Sequence, residues 1–524
     1  MQYAIYIAGL ACSSILFTDA LYVYEYGRDF GMSLFVSSSL LAIRRCYHSS
    51  HRRRRTTDIA SAWATTTIAY QCAIALIILA TLIAYLRSDH RHYAGGGAAV
   101  SCSTSHPGVD LPVIDAGLYH SRTNALVLSI IRHWPEHNRV YDVPSGVTPY
   151  LFNGDQRTGI PFVINDVEDQ EYVRVWTRNS YDGEHLALDV AFPYSNYRVD
   201  DDAASTIDVV DEFRSRIAFV HDLEKPVYLL LHGLNGGSHE EYIKDMVKRR
   251  REEGSTVVVL IARGMMDTKL VTWNTFHGAR TGDVDAAARA LRDGLTSLAI
   301  AHDRKRRQIL AGVGYSMALD AAMSISGGLD MRQQINARRS MRLWQPMLTF
   351  GLREDFILGK YGLHYKSRLE REQFFGLLRA TSISALDLEA IVTYNSFDSL
   401  IHYYSEMSAM GDREPEFQLL GPTTESASSS NNNNWGRIGN VSTPLAVLQA
   451  LDDPLVGWRT VGTIDLQGLA DSGSGNVMLL LTKAGGHVGW PLGNNPAKHS
   501  WKWMNNAARD FVVAVDIARR EVGQ

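Results

Sequence analysis

Cysteine is scarce in this 524-residue chain and confined to one end, at Cys12, Cys46, Cys72 and Cys102. Everything after Cys102 must therefore fold without a disulfide or a thiolate metal site. No Cys/His cluster has zinc spacing, so neither a metal nor a cofactor is expected. Excess charge of either sign is also missing. The formal net charge is -4 and no basic-aromatic stripe appears in the main body, which excludes strong attraction to nucleic acid. Internal repeats are absent. At 45% apolar and 21% charged residues the composition is that of a globular protein, and the length exceeds what one hydrophobic core serves, so two or more units are expected.

The longest local absence is of charge itself, since residues 59–86 contain no Asp, Glu, Lys or Arg. "IALIILATLIAYL" forms the centre, with Trp63 and Tyr85 towards the ends. About 20 apolar residues cross a bilayer, and aromatics favour its interface. A transmembrane helix is predicted at about 60–86, within an N-terminal membrane region at 1–93. Residues 1–18 are uncharged too and are read as a possible second span, giving a single- or two-pass anchor. Arg44, Arg45 and Arg52 to Arg55 precede the 60–86 helix. The positive-inside rule puts them in the cytoplasm and turns the rest of the chain towards a lumen or the exterior. The sequon at Asn440 is compatible with that side. Residues 94–110, Gly- and Ser-rich, read as a linker to a domain at 111–524, and residues 422–436 as a low-complexity surface insertion.

From about residue 173 short apolar runs alternate with helical patterns. "VYLLL", "TVVVLIA", "QILAGVGY", "PLAVLQAL" and "NVMLLLT" are uninterrupted apolar runs, the signature of parallel strands covered on both faces. "HEEYIKDMVKRRREEG" and "GDVDAAARALRDGLTSLAIAH" have helical spacing. The fold class expected is α/β, a mostly parallel sheet flanked by helices. In such sheets chemistry gathers at the carboxyl ends of the strands. There the sequence places His232 to Ser238 after the first run, Arg263 after the second and Ser316 after the third. Asp452 and Asp453 follow the fourth, and His487 the fifth. In "QILAGVGYSMALDAAM" the apolar run ends in Gly-Tyr-Ser-Met-Ala and a helix-like run follows, so a strand, a sharp turn and a helix are predicted around Ser316. Serine, acid and histidine at strand ends, in that chain order, are the arrangement of a nucleophilic triad on an α/β-hydrolase sheet. Both aspartates remain open for the acid.

With these residues the chain resembles the type-four α/β-hydrolases, a family of membrane-anchored esterases and phospholipases and of medium-chain ester synthases. The resemblance runs from about Phe152 to the C-terminus. It rests on "RVWTRNSYDGEHLALDV", "HGLNGGSHEEYI", "ARG" with "FHGARTGDVDAA", "FDSLIHYYSEMSA", "STPLAVLQALDDPLV" and "KAGGHVGW". It implies Ser316 as nucleophile, His487 as general base and Asp453, ahead of Pro454, as the acid that orients it, with Asp452 satisfying the loop backbone. The oxyanion hole would come from the N–H groups of Leu234 and Met317. His232 would orient that loop, Arg263 would be a buried strut, and Tyr403 and Tyr404 would belong to a cap at about 352–440. The implied reaction is cleavage of a lipid or acyl ester through an acyl-enzyme, with acyl transfer to an alcohol, or a silent binding fold, as alternatives. One segment departs from the family pattern. Ala318 and Leu319 stand where the family has two glycines, and Asp320 where it has asparagine.

Overall fold

The computed structural model describes residues 114–141, 148, 150–194, 224–234, 236–304, 308–314, 320–335, 340–415 and 435–523. The two predicted spans, the arginine cluster and the linker lie outside the described residues, as do Ser316 and Met317. Among the described residues no helix is long and apolar enough to cross a membrane. The chain divides into two compact units. One combines residues 1–104, 338–350 and 381–383. In its described part a π-helix, Ser340–Trp344, runs into a helix at Gln345–Gly351, and Gln345 Oε1 accepts from the Ile383 amide at 3.2 Å.

The other unit contains a nine-stranded mixed sheet. Its strands are β1 (Gly117–Tyr119), β2 (Val173–Arg178), β3 (His185–Ala191), β4 (Val227–Leu231), β5 (Thr256–Ile261), β6 (Leu310–Val313), β7 (Ala321–Ile325), β8 (Leu445–Ala450) and β9 (Val477–Thr482). Their spatial order is β1-β9-β8-β7-β6-β4-β5-β3-β2. The inner strands, from β5 through β4, β6, β7 and β8 to β9, run parallel, and β1, β2 and β3 pair antiparallel at the edges. The apolar runs fall where they were predicted because both faces of the inner strands are covered. Every residue of β5 and of β9 is buried.

The flanking helices used below are α1 (Ala125–His133), α2 (Gly154–Ile164), α3 (Glu241–Glu252), α4 (Thr281–Ala301) and α5 (Lys502–Val522). In α5 the buried residues Trp503, Ala507, Phe511, Ala514 and Ala518 recur at helical spacing and form one apolar stripe. Phe511 meets Trp134, just beyond α1, with ring centroids 5.2 Å apart. The hairpin β2–β3 closes through Gly183, whose φ of 79° suits glycine, and Gly183 N–H donates to Asn179 O at 2.8 Å. Between β7 and β8 the described residues are mostly helical, from Ser340–Trp344 through Leu400–Met407, and this segment includes the predicted cap.

One predicted element is overturned. The run after Ser316, read as a helix, is strand β7 in its described part. Ala321, Ala322 and Met323 pair with Ala311, Gly312 and Val313 of β6, and the strand's other edge pairs with β8. Leu-Asp-Ala-Ala-Met has helical propensity, but a weak local preference yields to hydrogen bonding on both edges at the sheet's centre. Seven residues, 314–320, separate β6 from the next parallel strand, whereas a parallel crossover ordinarily takes a dozen or more.

Candidate active site

The site is built on the loops that leave the carboxyl ends of the parallel strands. β8 delivers Asp452 and Asp453, and β9 delivers the loop that carries His487. Asp453 is buried. Its Oδ1 accepts from the amides of Leu455 (2.8 Å) and Val456 (2.9 Å). Its Oδ2 accepts from Gln449 Nε2 (3.2 Å) and lies 2.9 Å from His487 Nδ1. Since this carboxylate is surrounded by donors, the imidazole proton belongs on Nδ1, and Nε2 is left as the nitrogen able to take a proton. The His487 side chain keeps 23% of its exposure while that of Asp453 keeps none, so the pair has one dry end and one end open to a substrate.

Asp452 does different work. Its Oδ2 accepts from Arg157 Nη1 at 2.7 Å and its Oδ1 from the Gly486 amide at 2.9 Å. Burial pushes its carboxyl above the usual range, against the pull of Arg157 and of the Gly486 N–H. Of the two aspartates left open by the sequence, the structure brings Asp453 to the imidazole and Asp452 to the histidine loop's backbone.

The histidine loop has an irregular backbone. Val488 and Trp490 have φ of 51° and 49°, and Gly486 has φ of 68°. Residues with side chains hold that region only when their surroundings over-determine it. Here Trp490 is fully buried and its Nε1 donates to Thr482 Oγ1 at 3.0 Å, while Trp501 Nε1 donates to Val488 O at 2.8 Å.

On the side that leads to Ser316, β6 runs to Val313 and Gly314 follows with φ of 133°. Gly314 N–H donates to Met323 O at 2.7 Å, and a Cβ there would lie 2.6 Å from Leu231 Cβ. The chain is described again at Asp320, whose amide donates to Leu310 O at 2.9 Å. Asp320 Oδ2 accepts from the Leu310 amide at 2.9 Å, and Oδ1 from Arg519 of α5 at 3.0 Å. Gly314 thus stands at the carboxyl end of β6, two positions before Ser316, on the same rim as Asp453 and His487.

Leu234 follows β4 and its side chain is exposed. Beside it, His232 Nε2 accepts from the Ala262 amide at 3.0 Å, so its proton sits on Nδ1, facing Gly233 O at 2.9 Å. Burial lowers the pKa of this ring. A neutral imidazole with both nitrogens engaged shapes a loop and does not shuttle protons. Arg263 is buried and donates to Asp283 (Nε to Oδ2, 2.7 Å) and Asp182 (Nη1 to Oδ2, 2.6 Å), tying the β2–β3 turn to the start of α4. Tyr403 and Tyr404 are buried. Tyr403 Oη accepts from the Gly278 amide at 3.0 Å, and Tyr404 Oη donates to Asp387 Oδ2 at 2.9 Å.

Arg157, Thr158, Ser326 and Gln449 belong to the same constellation, although no sequence pattern singled them out. The one local cue is the Asn153 cap of α2, which accepts from the Gln156 amide at 3.0 Å and says where that helix starts, not what it touches. Among the described residues no group of His, Cys, Asp and Glu side chains could hold a metal ion.

No family model matches the chain. Monoacylglycerol lipase of Saccharomyces cerevisiae is 24% identical over 51% of this chain and 56% of its own. Embryogenesis-associated protein EMB8 of Picea glauca is 24% identical over 56% of this chain and 59% of its own. Phospholipase ABHD3 of Mus musculus is 24% identical over 57% of this chain and 66% of its own. The chain therefore spans between 56% and 66% of the length of these relatives. Among solved structures, an esterase of Pyrococcus furiosus covers 66% of this chain and 96% of its own, with a TM-score of 0.32 at 12% identity.

Proposed function

We propose that this chain, whose sheet order and 24% identity to a lipase and a phospholipase support an α/β-hydrolase, is a serine hydrolase of carboxylic esters, acting through an acyl-enzyme. Ser316 Oγ attacks the ester carbonyl, and His487 Nε2 takes its proton and passes it to the leaving alcohol. Water then repeats the sequence to release the acid. Asp453 holds the imidazole in the tautomer that keeps Nε2 open. The N–H groups of Leu234 and Met317 face the developing oxyanion. The observation that carries this reading is the Asp453–His487 pair, one end dry and one end open, on the rim where β6 ends at Val313, three positions before Ser316.

The substrate class is a lipid or acyl ester, as the names of the lipase and phospholipase relatives suggest. An alcohol in place of water would make the same site an acyltransferase, and another relative bears the name of an ethyl ester synthase/esterase. The uncharged segment at 59–86 supports an N-terminal membrane anchor, with the catalytic unit on the lumenal or exterior side. Glycosidase sensitivity at the exposed Asn440 and protease protection in sealed vesicles test that placement.

A second reading, a hydrolase fold without turnover, draws on the seven residues between β6 and β7 and on strand β7 where a helix was predicted. A fluorophosphonate probe separates the two. The expected result is labelling of wild type that is lost in Ser316→Ala and reduced to background in His487→Ala. A folded wild type that stays unlabelled establishes the silent reading.

A further inference from the structure

Three consecutive amides of the histidine loop are each held by a side chain from a different part of the chain. Gly486 N–H donates to Asp452 Oδ1 (2.9 Å), His487 N–H to Thr158 Oγ1 (2.7 Å) and Val488 N–H to Ser326 Oγ (3.0 Å). A loop whose φ angles lie in the left-handed region at Gly486, Val488 and Trp490 cannot satisfy these amides in a helix or a ladder, so side chains must do it. The Thr158 bond is the central one, because it fixes the backbone of the histidine itself. Its direction is set as well. The single proton of Thr158 Oγ1 goes to Gly154 O at 2.7 Å, which leaves the oxygen's lone pairs for His487 N–H.

The first turn of α2 is pressed against both loops that carry the pair. A Cβ at Gly154 would collide with Asp452 O, and a Cβ at Gly486 would lie 2.7 Å from Thr158 Oγ1 and 2.8 Å from Gly154 O. Arg157, one position before Thr158, grips Asp452 Oδ2, so the same turn also fixes the acceptor of the Gly486 amide. The bonds of Arg157 and Thr158 go to Asp452, Gly154 O and the His487 amide, while the imidazole Nδ1 has Asp453 as its partner.

We propose that Thr158 is a positioning residue for His487, and that the first turn of α2, through Thr158 and through Arg157 with Asp452, sets where the His487 imidazole stands relative to the nucleophile strand. The inference rests on the proposed serine-hydrolase reading for its effect on rate. The anchoring of His487 stands apart from that reading and has its own measurement. The turn supplies no proton and no charge to the reaction. It removes freedom from one backbone position, and a displacement of about 1 Å at a reacting group can cost about 100-fold in rate.

The test uses the full-length chain with Thr158→Val, which keeps the shape and deletes the acceptor, and Thr158→Ser, which keeps it. Thermal unfolding establishes that each variant is folded. The fluorophosphonate labelling rate is expected to fall by about 10- to 100-fold in Thr158→Val and to return to within about threefold of wild type in Thr158→Ser. The His487 imidazole resonance, identified in histidine-labelled protein by its loss in His487→Gln, is expected to shift in Thr158→Val and to be restored in Thr158→Ser. An unchanged resonance and an unchanged labelling rate in folded Thr158→Val overturn the proposal, as does a loss that Thr158→Ser fails to rescue. If wild type itself is unlabelled, the hydrolase reading fails and the resonance alone decides the positioning role: a shift in Val restored by Ser upholds it, and no shift overturns it.

Discussion

The proposed site has two halves, the acid–histidine loops and the strand ends that flank Ser316, and the chain reaches them differently. The acid–histidine half is over-determined. Asp453 accepts from two amides, a glutamine and the imidazole, and the histidine loop is tied at three successive amides and by two tryptophan N–H groups. In the other half, which flanks Ser316, the described residues are the two strand ends. Gly314 closes β6 against Leu231, and Asp320, held by Arg519, opens β7 beside Leu310. Elsewhere in the sheet β4 reaches the next parallel strand through 232–255, with α3 in between, whereas β6 reaches β7 through 314–320. Ladder bonds on both edges of β7 specify its place in the sheet. In the proposed reading, the Asp453–His487 pair and the serine are thus carried by different segments, the loops after β8 and β9 and the connection after β6.

The largest effect expected from breaking this comparison is on the acid. Asp453→Asn should lower kcat/KM on a short-chain ester by about 10^4-fold, because the amide no longer fixes the tautomer. Asp452→Asn should cost far less, about tenfold, since it disturbs only the loop amide and Arg157. Equal losses in the two variants, measured side by side, would merge roles that the geometry separates. Next come the two glycines, one in each half. Gly154→Ala meets the Asp452 main chain and should destabilise by about 3 kcal/mol, with a loss of turnover as the acid loop moves. Gly314→Ala meets a leucine side chain but forces a positive φ, and should cost about 2 kcal/mol in denaturant unfolding.

The smallest effect lies outside both halves. His277, after β5, is buried against Phe397 and Tyr403, and burial, with Arg280 and Arg263 nearby, brings its pKa down to about 3. The folded chain leaves this ring neutral where the unfolded chain protonates it near its ordinary pKa of about 6.5. Between those two values the unfolded state binds more protons. Stability from this ring is thus complete above about pH 6.5 and falls as pH drops, by up to about 1.4 kcal/mol per unit. His277→Gln should flatten that slope in urea unfolding at pH 7 and pH 5, leaving both halves of the site unaltered.

Much of the sheet is legible in the sequence. β4, β5, β8 and β9 appear as apolar runs because burial on both faces removes polar residues from them. The residues that leave their ends, His232, Arg263, Asp452, Asp453 and His487, could be named from position alone. β7 was not legible. Ala321 to Ile325 is short and rich in helix formers, and its neighbours β6 and β8 decide its state. Thr158 and Arg157 were not legible either. Their partners lie some three hundred positions away, and no local period records such a contact.

By itself, then, the amino-acid order determined the buried strands of the mostly parallel sheet and put Asp452, Asp453 and His487 after their ends, because period and residue type are local properties written into each strand and loop. Tertiary structure decided which of two adjacent carboxylates faces the imidazole, what holds the histidine's backbone, and that β7 follows β6 as a strand. Those outcomes depend on hydrogen bonds between segments remote along the chain, and their energies exist only once the segments have met.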